Sequence, residues 1–302
     1  MTLTAIVLLV VAAFVHAGWN LLTKHAHPTA AFFLVANTFG CLCLAPVLLL
    51  YGNVAAAFPA RVWVLLAGTG FCLAVYMATL AGAYRTGHLS IAYPIARSAP
   101  VVVVAGITFA LGKGHQITPQ CLFGILLVAG GCFALPMRRF RDFRARNYLN
   151  LSCLLALAAA FGTAGYMLID DEALRRLREA PGLSAGPAQA TIVYAFFEGL
   201  SSSAWLALYV LLRKNRRSRV HEVIRASGRH AALTGIGMYV AYTLVLLSMA
   251  FVANVSYVAA FRQLSILFGA VFGVVILKEP RHVPKFVGVA FMFLGLVLVG
   301  TG

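Results

Sequence analysis

Tyr93-Pro94-Ile95-Ala96-Arg97-Ser98-Ala99-Pro100 sets a guanidinium inside a long apolar run, Ile91–Leu111. A second arginine sits in Ala259-Ala260-Phe261-Arg262-Gln263-Leu264-Ser265, inside the run Asn254–Leu277. The two arginines are 165 residues apart, and the same offset relates Lys113 to Lys278, Pro119 to Pro284, Gly130 to Gly295 and Thr69-Gly70 to Thr234-Gly235. The chain therefore holds a weak copy of itself. A cation at membrane depth is costly, so each arginine is a functional candidate by default. A duplicated apolar unit with a cation in each copy points to a transporter whose site lies between the copies.

Composition agrees with a membrane-embedded chain. Of 302 residues, 62% are hydrophobic and 11% charged, and a soluble domain carries about a quarter charged residues. The net charge of +16 does not signal nucleic acid, because twelve of the 24 Lys and Arg residues fall in two stretches between apolar runs, Arg138–Arg146 and Arg213–Arg229. That clustering suits orientation in the bilayer and contact with anionic headgroups. The six cysteines, Cys41, Cys43, Cys72, Cys121, Cys132 and Cys153, all lie in apolar runs without metal-knuckle or redox spacing, and read as packing residues. Met1–Ala17 ends in Val15-His16-Ala17, which resembles a cleavage site. It lacks a basic start and its apolar run continues to Leu22, so it reads as the first membrane helix.

A span needs about 20 apolar residues to cross ~30 Å of hydrocarbon. Ten segments meet that need: Leu3–Leu22, Ala30–Tyr51, Val62–Ala83, Ile91–Leu111, Ile117–Pro136, Leu149–Ile169, Pro187–Leu212, Ala231–Ala250, Asn254–Leu277 and Val283–Gly300. The expected fold is all-α and integral to the membrane, with ten transmembrane helices in two inverted five-helix repeats, residues 1–136 and 149–302, joined by a basic linker at 137–148. An odd number of spans per copy turns the copies in opposite directions. The longest connections, Asp170–Gly186 and Arg213–His230, read as loops, the first holding a short surface helix ended by Pro181-Gly182. Lys and Arg divide five against seventeen between the two sides, which puts both termini outside the cytoplasm of a cell's inner (plasma) membrane.

The Tyr93–Pro100 stretch, its looser copy at Ala259–Ser265, the endings Lys113…Pro119…Gly124…Gly130 and Lys278-Glu279-Pro280…Pro284…Gly288…Gly295, and His16-Ala17-Gly18-Trp19-Asn20 resemble the EamA family of the drug/metabolite transporter superfamily. Gly114 stands where Glu279 occurs in the second copy, so one turn departs from the pattern. The resemblance covers nearly the whole chain. It implies a secondary active transporter of a small metabolite, working in export rather than import, and a scaffold role for the last span of each half. It does not name a substrate. The family's usual cytoplasmic termini run against the charge count above.

Candidate residues follow from burial and chemistry. Pro94 and Pro100 each lack an N–H and should break the helix around Arg97, and broken backbone at membrane depth lines cavities. Arg97 and Arg262 would hold a carboxylate or phosphonate through their planar forks, or else act as structural cations satisfied by helix carbonyls or Glu198. Glu198 reads as the one acidic residue deep in a span, placed to couple movement to protons together with His16. Trp19 and Asn20 share the first span with His16, and Tyr93 and Tyr257 flank the two arginines, so all four are candidates for substrate contact. Tyr76, Tyr84, Tyr239 and Tyr242 are further cavity candidates, and Ser201-Ser202-Ser203 could add hydroxyls beside Glu198. Gly124, Gly130, Gly131, Gly269, Gly273, Gly288 and Gly295 read as close-packing positions. No catalytic motif, cofactor motif or metal set is present, and His25 and His27 lack a third ligand. The expected partners are a small-molecule substrate, protons and anionic lipid, with monomer and homodimer both open. A passive facilitator or exchanger, or a lipid-headgroup translocator, are the alternatives on the same fold.

Overall fold

The protein is described by a computed structural model covering residues 1–23, 29–86, 89–134, 137, 139, 150–180, 185–212, 214–276 and 282–302. Among these residues every regular element is helical. The order is α1 (Leu3–Thr23), α2 (Ala30–Leu44), α3 (Val47–Ala56), α4 (Ala60–Thr86), α5 (Leu89–Ala110), α6 (Pro119–Ala134), α7 (Leu151–Arg178), α8 (Pro187–Leu211), α9 (Lys214–Ser248), α10 (Val255–Phe261), α11 (Leu264–Val275) and α12 (Val283–Thr301). Side-chain caps start several of them, satisfying N–H groups that have no intrahelical partner. Thr29 accepts from Phe32 N, Asn150 from Cys153 N and Asn254 from Ser256 N. Gly112 takes φ +73° in the turn after α5, where a side chain would be strained.

Among the described residues, seven helices are long and apolar enough to cross a membrane. α2 and α3 qualify together as a pair bent by 86°, and Ile95–Ala110 and Pro119–Ala134 are shorter apolar helices. The outward surface is rich in large apolar side chains, including Leu49, Leu212, Val283, Phe286 and Phe293. A soluble monomer rarely exposes so much contiguous apolar surface, so the exterior fits a multi-pass membrane protein. α4 packs on α7 and α8, α9 on α1 and α2, α5 on α7, and α11 on α1. α2 meets α8, and α6 meets α12.

Glycine lets these helices approach closely. A Cβ on Gly235 of α9 would fall 2.0 Å from the Ala36 carbonyl oxygen of α2, and one on Gly70 of α4 would fall 2.1 Å from Ser201 Oγ of α8. Along the α6–α12 crossing, a Cβ on Gly124 would fall 2.6 Å from the Gly295 carbonyl oxygen, and one on Gly131 would fall 2.6 Å from that of Gly288. Gly130 and Gly269 meet nothing within 4 Å, so these two expected packing positions are not close approaches.

Five expectations change. The sixth span does not stop at Ile169: α7 runs unbroken to Arg178, and Asp170, Ala173, Leu174 and Leu177 are all buried. The apolar face persists through the acidic cluster at helical spacing, which carries the helix on. Pro181-Gly182 lies outside the described residues. The connection Arg213–His230 is not a loop; from Lys214 onward it is the helical start of α9, kinked at Ser227 (φ −135°, ψ 15°). The second span is broken after Leu44, where Pro46 starts α3 in a new direction. α5 is continuous through Pro94 and Pro100, whereas the ninth span is interrupted at Arg262-Gln263. Each proline removes one hydrogen bond from the helix interior without ending it, because neighbouring helices in a membrane bundle can satisfy the freed carbonyl. Finally, Glu198 is not alone at depth, because Asp170 is fully buried. The linker 137–148 lies outside the described residues except for Met137 and Arg139, as do His25, His27 and Lys278-Glu279-Pro280.

Candidate functional site

α1, α4, α7 and α9 surround a cavity of about 630 Å³, open mouth included. Its walls are mostly apolar and aromatic, from Leu9, Trp19, Phe33, Leu73, Met77, Met238 and Val245, with Tyr76, Tyr166, Tyr242 and His16 as the polar exceptions. One cation faces it, Arg262. The turn at Arg262-Gln263 delivers that side chain, because α10 ends there and α11 begins two residues later.

The Arg262 guanidinium is held by aromatics rather than by acid. Its Nη2 donates to Tyr166 Oη at 2.9 Å. Its Cζ lies 5.5 Å from the centre of the Tyr166 ring and 5.2 Å from that of Tyr242, distances at which a ring face attracts a cation. The two rings meet edge to face. Nη1 is buried without a hydrogen-bond partner among the described residues, and no described carboxylate forms an ion pair with this arginine. A planar fork with a spare N–H beside a cavity is suited to one carboxylate or phosphonate.

Behind the Tyr242 ring lies a polar cluster. The hydroxyls of Thr69 and Tyr194 donate to Asp170 Oδ1, each at 2.7 Å, and the Tyr242 hydroxyl donates to Oδ2. Three hydroxyls on three different helices thus converge on one carboxyl group. Glu198 lies one helical turn after Tyr194 on α8, within Coulombic reach of the same carboxyl. Glu198 Oε1 is buried with no partner among the described residues. Glu198 lines a second cavity of about 370 Å³, open mouth included, together with Asn37, Ser202, Tyr239 and Thr243. The two cavities share Leu73, Met77, Met238 and Tyr242 as a common wall.

Arg97 lines neither cavity. Its Nη2 donates to Ser265 Oγ at 2.9 Å, and Ser265 in turn donates to the Arg262 carbonyl at 2.8 Å. The two arginines therefore meet through one hydroxyl at the start of α11. His16 and Trp19 line the first cavity with their rings 4.7 Å apart, and His16 stands within Coulombic reach of both arginines. Asn20 is exposed, and its amide donates to the His16 carbonyl of its own helix at 2.8 Å. Tyr257 is buried in α10 near Thr118 and Cys121 and lines neither cavity. The side chains of Tyr93 and Tyr84 lie outside what is described. Asn37 donates to Ser202 Oγ (2.8 Å) and Ser203 Oγ (2.9 Å), so those hydroxyls bind α2 to α8.

Asp170 and Tyr166 were not legible as site residues from the span boundaries. A signal was present: the two are four residues apart on one helix face, and the apolar pattern resumes at Ala173-Leu174 and Leu177.

No protein-family model matches the chain, and no curated protein matches it. Among solved structures, one known only as the crystal structure of a protein aligns over 98% of this chain and 97% of its own length, with TM-score 0.68 and 18% identity. At that identity the likeness establishes a shared fold, and the arrangement of helices is therefore one already seen in a crystal.

Proposed function

We propose that the chain is a secondary active transporter of a small metabolite bearing an anionic group, working by alternating access, and that it resembles the EamA family in architecture. The single observation carrying this reading is Arg262: a half-buried arginine whose buried Nη1 finds no partner among the described residues, facing an aromatic cavity among helices of both halves. Ten spans in two inverted halves are part of the proposal. If residues 1–136 and 149–302 are related copies, α4 on α7 answers to α9 on α1, α4 on α8 to α9 on α2, and α5 on α7 to α11 on α1. The close approaches share the offset of the sequence copy, since Gly70 against Ser201 is Gly235 against Ala36 moved by 165 residues. Asn37 and Ser202, 165 apart, bond to each other where α2 meets α8, as residues beside a pseudo-two-fold axis would.

In this reading Arg262 anchors the anion, Arg97 holds the backbone of the Arg262 turn through Ser265, and the aromatic walls take the substrate's body. Glu198, with His16 across the first cavity, couples movement to protons. Export follows the family resemblance, and both termini lie outside the cytoplasm by charge count. The test is a thermal-shift screen of purified protein against matched anionic, zwitterionic and cationic metabolites, on wild type, Arg262→Ala and Arg262→Lys. Stabilisation by carboxylates or phosphonates that is lost in the alanine variant supports the anchor. Stabilisation by cations or neutral compounds alone, unchanged in both variants, refutes it.

A further inference from the structure

The cluster at Asp170 has two features that the anion site does not use. Its two carboxyl groups are both buried and lie near each other, Glu198 being one helical turn after the Tyr194 that bonds Asp170, and Glu198 lines a cavity of its own. Every group facing the pair bears on its charge. α7 supplies Tyr166, α8 supplies Tyr194, and α9 supplies Tyr239 and Tyr242. Cys72 of α4 lies near Asp170, and Cys41 of α2 lies near Tyr239. Among the described residues the cation within Coulombic reach is Arg262, and it makes no ion pair with either acid. Two buried carboxylates within Coulombic reach of each other, without a paired cation, cannot both keep their charge cheaply.

We infer that Asp170 and Glu198 hold one proton between them, and that Tyr242 ties this proton to the charge at Arg262. The division of roles follows from the hydrogen bonds. Asp170 accepts from three hydroxyls and is the ionised member, while Glu198, which lines the second cavity and whose Oε1 accepts no hydrogen bond from the described residues, carries the proton. Tyr242 belongs to both sites: its hydroxyl donates to Asp170, and its ring stacks beside the Arg262 guanidinium. With Arg262 unoccupied, its positive charge balances the single negative charge of the pair. An anion on Arg262 cancels that balance, and a second proton entering from the second cavity onto the Asp170 carboxylate restores it. Anion and proton therefore bind together, and by linkage each favours the other to the same degree.

The use of this proton in transport rests on the reading proposed above, but its existence does not, and the experiment separates the two. Infrared spectra of the full-length purified protein are recorded in H₂O and D₂O, reading the C=O stretch of protonated carboxyl groups. Wild type at neutral pH should show a buried, exchange-shifted carboxylic-acid band. Glu198→Gln should lose it, because Asp170 is then alone with its three donors, and Asp170→Asn should keep it on Glu198. Absence of the band in wild type, or its survival in Glu198→Gln, overturns the shared proton, and the wild-type spectrum decides alone if the variants do not fold. For any anion that stabilises the protein in the metabolite screen, affinity should rise roughly tenfold from mildly alkaline to mildly acidic pH, and the rise should vanish in Glu198→Gln. An intact band with pH-independent anion affinity overturns the Tyr242 link, and an intact band with no anion binding at all leaves the shared proton standing while refuting the transport reading.

Discussion

Gly235→Ala tests the packing on which every cavity wall depends. The new Cβ would lie 2.0 Å from the Ala36 carbonyl oxygen, 2.9 Å from its carbon and 3.0 Å from the Gly40 nitrogen. All three are backbone atoms, so no rotamer change relieves the clash, and α2 and α9 must move apart by more than an ångström. Overpacking of this kind costs about 1–3 kcal/mol, and a backbone obstacle belongs at the upper end. At roughly 2–3 °C per kcal/mol for a chain of this size, the midpoint should fall by about 5–9 °C. Tyr239 and Tyr242 sit on the displaced helix, so the second cavity should distort with it. Gly130→Ala is the control, since a Cβ there meets nothing within 4 Å. It should leave the midpoint unchanged or slightly raised, because alanine favours the helix. The assay is thermal unfolding of the two detergent-purified variants beside wild type, followed by circular dichroism. A Gly235→Ala midpoint within about 1 °C of wild type, or an equal fall in Gly130→Ala, would refute the packing described.

Asp170→Ala should destabilise the fold by about 2–4 kcal/mol, as three buried hydroxyls lose their common acceptor; a surface-loop aspartate would show no such loss in the same melting assay. Tyr166→Phe removes the acceptor of the Arg262 Nη2 bond but keeps the ring, so it should cost about 1–2 kcal/mol and leave the cation–ring contact in place, again read as a melting shift. Thr2→Cys in intact cells should react with a membrane-impermeant maleimide if the N-terminus lies outside the cytoplasm, and protection from the reagent until the membrane is opened would reverse the orientation.

The apolar runs, the buried arginines and the 165-residue copy are all legible along the chain, because hydrophobicity and helical period are local properties of neighbouring residues. The same locality explains the errors. Asp170-Asp171-Glu172 looked like the end of a span, yet only the packed bundle shows that Asp170 turns inward to three hydroxyls while Glu172 pairs outward with Arg175 and Arg176. Pro94 and Pro100 marked a break that α5 does not make, and the break at Arg262 bears no proline. His16, Trp19, Arg262 and Glu198 could be selected one by one for their chemistry. That Arg262 is held by two tyrosine rings instead of by Glu198, and that Tyr242 joins it to Asp170, depends on how α7, α8 and α9 are rotated and how closely glycine lets their neighbours approach. Those rotations are set by contacts between residues on different helices, such as Thr69, Tyr194 and Tyr242 with Asp170 and Tyr166 with Arg262, and the spacing of residues along one helix does not contain them.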